Sequence, residues 1–253
     1  MCRYMGGKGK IGKHISKRIF EIEDQMPFQT DSYFEPFIGM CGVMRNMGER
    51  KKIACDLSED IINMWRDLQK GWKPPSYMTK DEFNFQKTQP SSALKCFAAH
   101  GCSYGGIYFS TYIGNYNKGD EEIHRSSRSI IRVSSQIQDV EFLDNKSYKE
   151  HKPKNSTIYC DPPYSTATKA VLKMPNFVSF NHEDFWNVMR KWVVDGNIVI
   201  VSEFTCPNDF KPVWEKKIVS NVNHKGHRLE KLFMHESQSI HIKDTCSQDN
   251  DLR

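Results

Sequence analysis

The stretch Thr157–Tyr164, which reads TIYCDPPY, decides the fold of this chain. Its first four residues have the apolar and β-branched character of a buried strand, and the pattern stops abruptly at an acid and two prolines. In an open α/β sheet, ligands bind at the carboxyl ends of the strands. The stretch therefore predicts a buried strand that places Asp161 at the ligand-binding edge of a sheet.

Strands and helices alternate on both sides of this stretch. Isoleucines recur at helical spacing within residues 11–25, Ser58 is a candidate cap for a second helix, and a further capped helix is expected to begin near Asn181. Strands are expected at residues 33–37, 52–55, 140–143, 157–160, 198–202, 218–222 and 230–235. This alternation predicts an α/β fold with a Rossmann-like, doubly wound and mostly parallel sheet.

The middle of the chain differs in composition. Residues 73–133 contain the pattern of a capping box at Thr79–Glu82 and a helix expected at Ala93–His100, and they then become rich in glycine, tyrosine and serine. We interpret 73–133 as an inserted region. Residues 1–72 and 134–242 are interpreted as the main α/β domain, and residues 243–253 as a flexible tail.

Composition and charge limit the class of protein. The 253 residues are 38% hydrophobic and 26% charged, no apolar run approaches membrane-spanning length, and no signal peptide is readable near Met1. An intracellular protein is expected. At this length and without a secretory signal, the eight cysteines are expected to be reduced thiols, and because they contain no Cys-x-x-Cys pair, a structural zinc site is not expected. The net charge of +5 is compatible with a polyanionic partner.

The acid and prolines after the predicted strand suit the activation of an exocyclic aromatic amine. Such a nitrogen is a poor nucleophile because it shares its lone pair with the ring. Asp161 and a backbone carbonyl beside Pro162 and Pro163 can accept its two hydrogens, so that a sulfonium methyl group is transferred directly and in line. Tyr164 would stack on a base that has been rotated out of a duplex. The alternative is an ordinary strand end followed by a turn.

A second candidate site follows the first predicted strand. Residues 34–42 contain Gly39 and Gly42, which permit close approach to a cofactor, and a helix amino terminus is expected after them. The full Gly-x-Gly-x-x-Gly pattern is missing, which disfavours a dinucleotide. Asp56 ends the next strand, where an acid accepts the ribose hydroxyls of a nucleoside cofactor, although such an acid is also an ordinary helix cap. Lys8 is a candidate for the carboxylate of the cofactor.

Together these segments resemble the Dam-type DNA adenine methyltransferases, including their phage and viral members. Residues 4–8, 34–42, 56–57 and 161–164 match the motifs of that family in order and approximate spacing, and residues 102–106, 202–204 and 230–233 resemble its phage-borne members. The resemblance implies a class I S-adenosylmethionine-dependent fold and methylation of the N6 amine of adenine, with S-adenosylhomocysteine as the product. It implies cofactor contacts by Tyr4, Gly7, Lys8, Glu35, Pro36, Phe37, Gly39, Asp56, Leu57 and Asp161.

The inserted region is the expected target-recognition region, and double-stranded DNA is the expected partner. The candidate DNA-binding residues are Tyr112, Lys118, Arg125, Arg128 and Arg132, together with Lys169 and Lys173 beyond Tyr164. Acidic residues at 120–122 interrupt this basic run, so a solvated loop of mixed charge is the alternative interpretation. A cognate restriction endonuclease is a further candidate partner. The recognition sequence and the choice between monomer and dimer stay open.

Related reactions and a different class of protein are the alternatives. A cytosine C5 methyltransferase needs a nucleophilic cysteine, typically in a Pro-Cys pair, and this chain has only Cys206-Pro207 in the reverse order. Methylation of the cytosine N4 amine is chemically almost the same reaction as adenine N6 methylation, and RNA is an alternative substrate. A catalytically silent nucleic-acid-binding protein of the same fold is also an alternative. Every expected catalytic position is filled, which favours an enzyme.

Overall fold

The computed structural model describes residue 4 and residues 6–164, 180–219 and 227–243. The strands within them are β1 (Ser32–Glu35), β2 (Lys51–Ala54), β3 (Val140–Phe142), β4 (Ser156–Cys160), β5 (Ile198–Ser202), β6 (Phe210–Val219) and β7 (His227–His235). The α-helices are α1 (Gly12–Glu23), α2 (Glu59–Gln69), α3 (Lys80–Gln86), α4 (Ala93–Cys96), α5 (Gly119–Ser134), α6 (His182–Val194) and α7 (Glu236–Ser239). Short 3-10 helices lie at Met44–Asn46, Tyr104–Gly106, Ile113–Asn115 and Tyr148–Glu150.

The strands form one seven-stranded sheet in the order β3-β2-β1-β4-β5-β7-β6. Strands β3, β2, β1, β4 and β5 run parallel, whereas β7 pairs antiparallel with both β5 and β6. The chain passes outward from β1 through β2 to β3 and then returns to β4 on the other side of β1. Ligands bind at such a reversal of strand order in open α/β sheets. The prediction of a doubly wound and mostly parallel sheet is confirmed.

Both faces of the sheet are covered. Successive residues of a strand point to opposite faces, so Ile198 and Val199 of β5 belong to different apolar clusters. The cluster around Ile198 contains the buried isoleucines of α1 and Trp65 of α2. The cluster around Val199 contains Trp192 of α6. This two-sided burial explains why β5 consists almost entirely of Ile and Val.

The segment before α1 packs tightly against the loop after β1. A Cβ atom at Gly12 would lie 1.9 Å from the carbonyl oxygen of Gly42, and a Cβ atom at Gly42 would lie 3.0 Å from the backbone carbonyl carbon of Lys8. The first contact leaves room for glycine alone, and the second would force the backbone of Lys8 to shift by a few tenths of an ångström. Gly42 thus makes space for the backbone that carries Lys8, which differs from the close approach to a cofactor expected from the sequence.

The chain between β1 and β2 also differs from the prediction. The expected helix amino terminus after Gly42 is absent from this described segment, which has only the short 3-10 helix Met44–Asn46. Positive φ angles at Gly39, Cys41 and Gly48 turn the backbone out of the α-helical region before and after that short helix. The prediction was therefore wrong at this point, and a turn lies where a helix end was expected.

Predictions of helix caps are partly confirmed. Thr79 caps α3 through a capping box with Glu82, and the side chain of Asn181 caps α6. Ser58 occupies the N-cap of α2, but its side chain makes no capping hydrogen bond. The carboxylate of Asp56 instead accepts from the backbone amide of Ser58 at 2.9 Å. The turn into α2 is thus stabilised by the acid at the end of β2.

Two elements differ from their predicted extent. The helix expected at 93–100 changes after Cys96 into a π-helix, Phe97–Gly101. Strand β6 begins at Phe210 rather than near residue 218 and pairs with β7 along its length. Pro212 lies at an irregularity of that pairing, and β6 is an edge strand, where a missing amide donor is tolerated.

The inserted region has no apolar core of its own within the described residues. Phe83, Phe97, Ile123 and Ile130 join the same apolar cluster as the buried faces of α1 and α2. The inserted region thus packs on one face of the sheet, and its role in target recognition stays a prediction. None of the helices in the described ranges has both the length and the apolar character needed to cross a membrane.

Candidate active site

The acidic candidates lie at one edge of the sheet. Glu35 ends β1, Asp56 follows β2, and Asp161 follows β4. Ser202 ends β5. Because these strands are parallel, their carboxyl ends meet at the same edge, next to the reversal between β1 and β4. This catalytic edge, as we call it, is the candidate active site.

Lys8 reaches across this edge to Asp161. Its Nζ atom donates a hydrogen bond to Asp161 Oδ1 over 2.7 Å. The Lys8 side chain is 5% exposed and the Asp161 side chain is 18% exposed. A short, largely buried pair of this kind is a charge-assisted hydrogen bond that orients the carboxylate. Lys8, expected to bind the carboxylate of a cofactor, is thus paired with the predicted catalytic acid.

Tyr164 joins the same group of side chains. Its hydroxyl accepts a hydrogen bond from Lys8 Nζ over 2.6 Å and donates one to Glu230 Oε1 over 2.6 Å. Ser202 Oγ lies 2.9 Å from the Tyr164 hydroxyl and donates to the same Glu230 oxygen over 2.6 Å. Lys8, Asp161, Tyr164, Ser202 and Glu230 therefore form one connected network, which we call the Lys8 cluster.

Sequence reasoning missed Ser202 and Glu230 as site residues. A signal for Glu230 is nevertheless present in β7. Glu230, Leu232 and Met234 alternate along the strand and are all buried, so the acid occupies a position where an apolar residue is expected. Buried acids need partners, and an inward-pointing charge in an apolar series is a reason to look for a site.

Asp161 is desolvated but has a cationic partner. Burial raises the pKa of its carboxyl above the ordinary value, Lys8 lowers it, and Glu230 raises it. Pro162 is buried and Pro163 is partly buried directly after it. Both prolines lack an amide donor, so the backbone at this point offers only carbonyl acceptors beyond Asp161. The local chemistry is that of a hydrogen-bond acceptor site.

Asp56 organises the loop after β1 from the end of β2. Its Oδ2 accepts from the Gly39 amide over 3.0 Å, and its Oδ1 accepts from the Ser58 amide over 2.9 Å. Burial raises the pKa of Asp56 to about 6, against the lowering effect of these two hydrogen bonds. Each carboxylate oxygen can accept a second hydrogen bond, so Asp56 retains capacity for a ligand. Leu57 beside it is 46% exposed.

Glu35 lies deeper than the other two acids. It is 2% exposed, and its Oε1 accepts from the Tyr33 hydroxyl over 2.7 Å. Burial raises the pKa of Glu35 to about 8. Pro36 is buried, and the partly buried Phe37 ring lies 5.3 Å from the Tyr148 ring. Glu35 and Pro36 are thus buried at the end of β1, within the catalytic edge.

Glu35→Gln is expected to change the pH dependence of stability. The folded state holds a proton on Glu35 up to a pKa of about 8, whereas the ordinary value is 4.5. The stability from this group is present below the ordinary value and is lost as pH rises through about 8. Since glutamine does not ionise, the unfolding free energy of the variant relative to wild type should rise by roughly one kcal/mol per pH unit between about pH 5 and about pH 8.

Urea unfolding at a series of pH values measures this difference. Glu141→Gln, at an exposed position of β3, is the matched control, and it should stay within about 0.5 kcal/mol of wild type. A relative stability of Glu35→Gln that is constant across this pH range would contradict the raised pKa.

Tyr4 lies against the loop that Asp56 organises. Gly39 has a φ of +45°, and a Cβ atom there would lie 3.1 Å from Tyr4 Cε1. The Gly7 amide donates to the Tyr4 carbonyl over 3.0 Å. The Tyr4 ring lies 4.8 Å from that of His100, a buried residue of the π-helix that sequence reasoning did not select. Burial lowers the pKa of His100 to about 4, so this ring is neutral at physiological pH.

The predicted DNA-binding residues differ in their exposure to solvent. Lys118, Arg125, Arg128 and Arg132 are exposed along or next to α5. Tyr112 is 7% exposed, and its hydroxyl donates to the Met78 carbonyl, so the expectation that it contacts DNA is not supported. Its ring packs against Phe83 because the inserted region shares the core of the sheet. Lys169 and Lys173 lie outside the described residues.

Comparison with known proteins found a family and a relative that this chain resembles. Residues 4–225 match the family described as D12 class N6 adenine-specific DNA methyltransferase. The chain is also 23% identical over 225 residues to a protein of Haemophilus influenzae named DNA adenine methylase. This alignment covers 76% of the chain and 72% of the relative. The chain therefore belongs to the family of D12 class N6 adenine-specific DNA methyltransferases.

Proposed function

We propose that this chain transfers a methyl group from S-adenosylmethionine directly to the N6 amine of an adenine that has been rotated out of double-stranded DNA. N6 methylation of DNA adenine is the reaction of the family, and the donor and the route of transfer are the proposed parts. The observation that carries the proposal is the pair between Lys8 and Asp161 over 2.7 Å. It holds a desolvated carboxylate at the catalytic edge, directly before two prolines.

The residues of the catalytic edge fit the proposed cofactor. S-adenosylmethionine supplies an electrophilic methyl group on a sulfonium. Asp56 would accept hydrogen bonds from the ribose hydroxyls, since both of its oxygens retain acceptor capacity. Leu57, 46% exposed next to this acid, offers apolar surface to the purine ring. Tyr4 and Gly39, in contact with each other beside Asp56, would form the adjoining wall.

Asp161 would activate the target amine by accepting its hydrogens. Lys8 occupies Oδ1, and we assign Oδ2 as the acceptor of one amine hydrogen. A backbone carbonyl of residues 161–163 would accept the other. These two hydrogen bonds favour a pyramidal nitrogen whose lone pair is available for in-line attack. Positioning and electrostatics then supply the rate acceleration, and no covalent intermediate is needed.

Tyr164 would stack on the rotated base. Its ring meets the Phe204 ring edge-on with centroids 4.7 Å apart, and its hydroxyl is held within the Lys8 cluster. An aromatic ring fixed at both its edge and its hydroxyl has one orientation. A base stacked on such a ring keeps its exocyclic amine at a constant distance from Asp161.

We place the DNA phosphates near the beginning of α5. This helix leads into β3, which starts at the edge of the sheet opposite the catalytic edge. Arg132 lies about 21 Å along the helix from Lys118 at a rise of about 1.5 Å per residue, and its charge helps to lower the pKa of Arg45. Lys118 and Arg125 lie nearer the catalytic edge. The family substrate and the exposure of these two side chains support their role as phosphate contacts.

Lys118→Ala is expected to weaken DNA binding and to lower the slope of log affinity against log salt concentration by about one. Arg132→Ala removes a charge from the far end of the same helix and is the matched control, with a smaller expected change. Binding of a labelled duplex at several salt concentrations measures both effects. Equal losses for the two variants would contradict the proposed placement of the DNA.

Transfer of a labelled methyl group from S-adenosylmethionine to unmethylated duplex DNA tests the proposed function. We expect label in a duplex that contains adenine and none in a duplex of guanine and cytosine alone. Label in the second duplex would favour the cytosine amine, and label in RNA alone would favour RNA as substrate. Retained DNA binding without any transfer would identify a silent binding protein and overturn the proposal.

A further inference from the structure

Glu230 is a buried acid in the middle of β7, outside the motifs assigned above to the cofactor or to the target base. It is 1% exposed. Its strand neighbours on the same face, Leu232 and Met234, are buried in the apolar cluster. An acid in such surroundings costs considerable free energy unless hydrogen-bond donors surround it. The identity of those donors therefore indicates what the acid does.

Three donors from distant parts of the chain converge on Glu230 Oε1. The Tyr164 hydroxyl and Ser202 Oγ each donate over 2.6 Å, and Lys8 Nζ lies 3.1 Å away. One donor belongs to the amino-terminal segment, one follows β4, and one ends β5. Glu230 thus connects three separate pieces of the catalytic edge through a single oxygen atom.

Hydrogen bonding by Glu230 fixes the role of the Tyr164 hydroxyl. Because that hydroxyl donates its one hydrogen to Glu230, its oxygen is left to accept from Lys8 over 2.6 Å. Asp161, the acceptor intended for the target amine, is a second acceptor within reach of the Tyr164 hydroxyl, since a hydrogen bond from Tyr164 is among the contacts that lower the pKa of Asp161. Glu230 therefore competes with Asp161 for the Tyr164 hydrogen and draws it away from the catalytic carboxylate.

Glu230 is also a second carboxylate partner of the Lys8 ammonium. The ammonium lies 2.7 Å from Asp161 Oδ1 and 3.1 Å from Glu230 Oε1, and it has the Tyr164 oxygen as a further acceptor. An ammonium has three hydrogens, and the Gly6 carbonyl is a further, more distant acceptor at 3.5 Å, so the donor capacity of Lys8 is filled. Lys8 is thereby held at one oxygen of Asp161, which leaves the other oxygen for a substrate.

From these contacts we infer that Glu230 is a positioning residue for methyl transfer, which acts through Tyr164 and Lys8 and does not touch the base or the methyl donor. The inference rests on the proposed function, because it concerns the orientation of Tyr164 and Asp161 in that reaction. Ser202 supports Glu230 as a neutral second donor to the same oxygen.

A double-mutant cycle of Glu230→Gln and Tyr164→Phe tests the inference. Each single variant should slow methyl transfer in a single turnover by about tenfold to a hundredfold, the range expected for a lost charge-assisted hydrogen bond. Affinities for S-adenosylmethionine and for duplex DNA should change by less than about threefold, since phenylalanine keeps the ring that stacks on the base and Glu230 is not assigned to binding. The double variant should be about as slow as the slower single variant, because both changes break the same hydrogen bond.

The control is Glu215→Gln on the neighbouring strand β6. Glu215 is 43% exposed and pairs with Lys231 over 3.1 Å, so this change removes a carboxylate from the same hairpin without reaching the Lys8 cluster. Its single-turnover rate should equal that of wild type. Rates are normalised to the concentration of active sites, so that a loss of folded protein alone does not lower them.

Ser202→Ala keeps the inference testable if Glu230→Gln does not fold. This variant removes one neutral donor to Glu230 and should slow the same step by a few-fold, again with little change in affinity. Wild-type rates for Ser202→Ala and Tyr164→Phe, or additive losses in the cycle, would overturn the positioning role. If wild type itself transferred no methyl group to DNA, the proposed function would fail instead, which is a distinct outcome.

Discussion

Asp161→Ala is expected to reduce the rate of methyl transfer to DNA by about a thousandfold or more. The substitution removes the acceptor for one hydrogen of the target amine, and it removes a carboxylate that would stabilise the positive charge developing on the attacking nitrogen, while Lys8 keeps its pair with Glu230. Loss of a positioned catalytic group typically costs about two to four orders of magnitude. Single-turnover transfer of a labelled methyl group measures this loss.

Binding measurements distinguish a slower methyl-transfer step from a loss of folded structure. Asp161→Ala should still bind S-adenosylmethionine and duplex DNA with affinities within roughly tenfold of wild type, since its main effect is on the reacting nitrogen. Asp139→Ala, a 54% exposed acid that pairs with Lys52 near β3, is the matched control and should transfer methyl groups at the wild-type rate. A rate for Asp161→Ala within tenfold of wild type would contradict the assigned role.

Asp56→Ala is expected to raise the Michaelis constant for the cofactor by about a hundredfold, with a smaller effect on kcat. Two hydroxyl groups that donate to one carboxylate account for this magnitude at the lower end of the range of about 1.5–3 kcal/mol for each hydrogen bond to a charged group. Part of the loss will come from the loop after β1, because Asp56 also accepts from the Gly39 amide over 3.0 Å. Asp56→Asn retains one carbonyl acceptor and should lose less affinity.

The pH dependence of cofactor binding provides a second measurement at Asp56. Burial raises the pKa of this carboxyl to about 6, and a ribose hydroxyl donates more strongly to the ionised form. Affinity for S-adenosylmethionine should therefore fall as pH drops through about 6 in wild type, and this fall should be much smaller in Asp56→Asn. Titration calorimetry across this pH range measures both proteins. An identical pH profile in the two would contradict the assignment of Asp56 to the cofactor.

The sheet and its catalytic edge were predictable because local patterns specify them. The apolar run before Asp161 predicted β4, and the alternation around it predicted strands at nearly every observed position. The rule that ligands bind at the carboxyl ends of parallel strands then predicted which edge of the sheet holds the site. Asp56 and Asp161 were placed at the same edge by this reasoning, and the structure confirms that both follow parallel strands.

Contacts between distant segments were not predictable from such patterns. Glu230 meets Tyr164 across 66 positions of the chain, and Lys8 meets Asp161 across 153 positions. The secondary-structure propensity of a segment does not predict which distant segment it will contact. The burial of Tyr112 was not predictable for the same reason, since it depends on packing against Phe83 and on the Met78 carbonyl. Positive φ angles around Gly39 likewise replaced an expected helix by a turn.

The most direct test of the central claim is the identity of the methylated nucleoside. Unmethylated duplex DNA is incubated with the wild-type chain and S-adenosylmethionine, digested to nucleosides, and separated by chromatography with mass detection. N6-methyldeoxyadenosine should be the product, and it should be absent when Asp161→Ala replaces wild type. N4-methyldeoxycytidine as the product, or N6-methyldeoxyadenosine formed equally well by Asp161→Ala, would contradict the account.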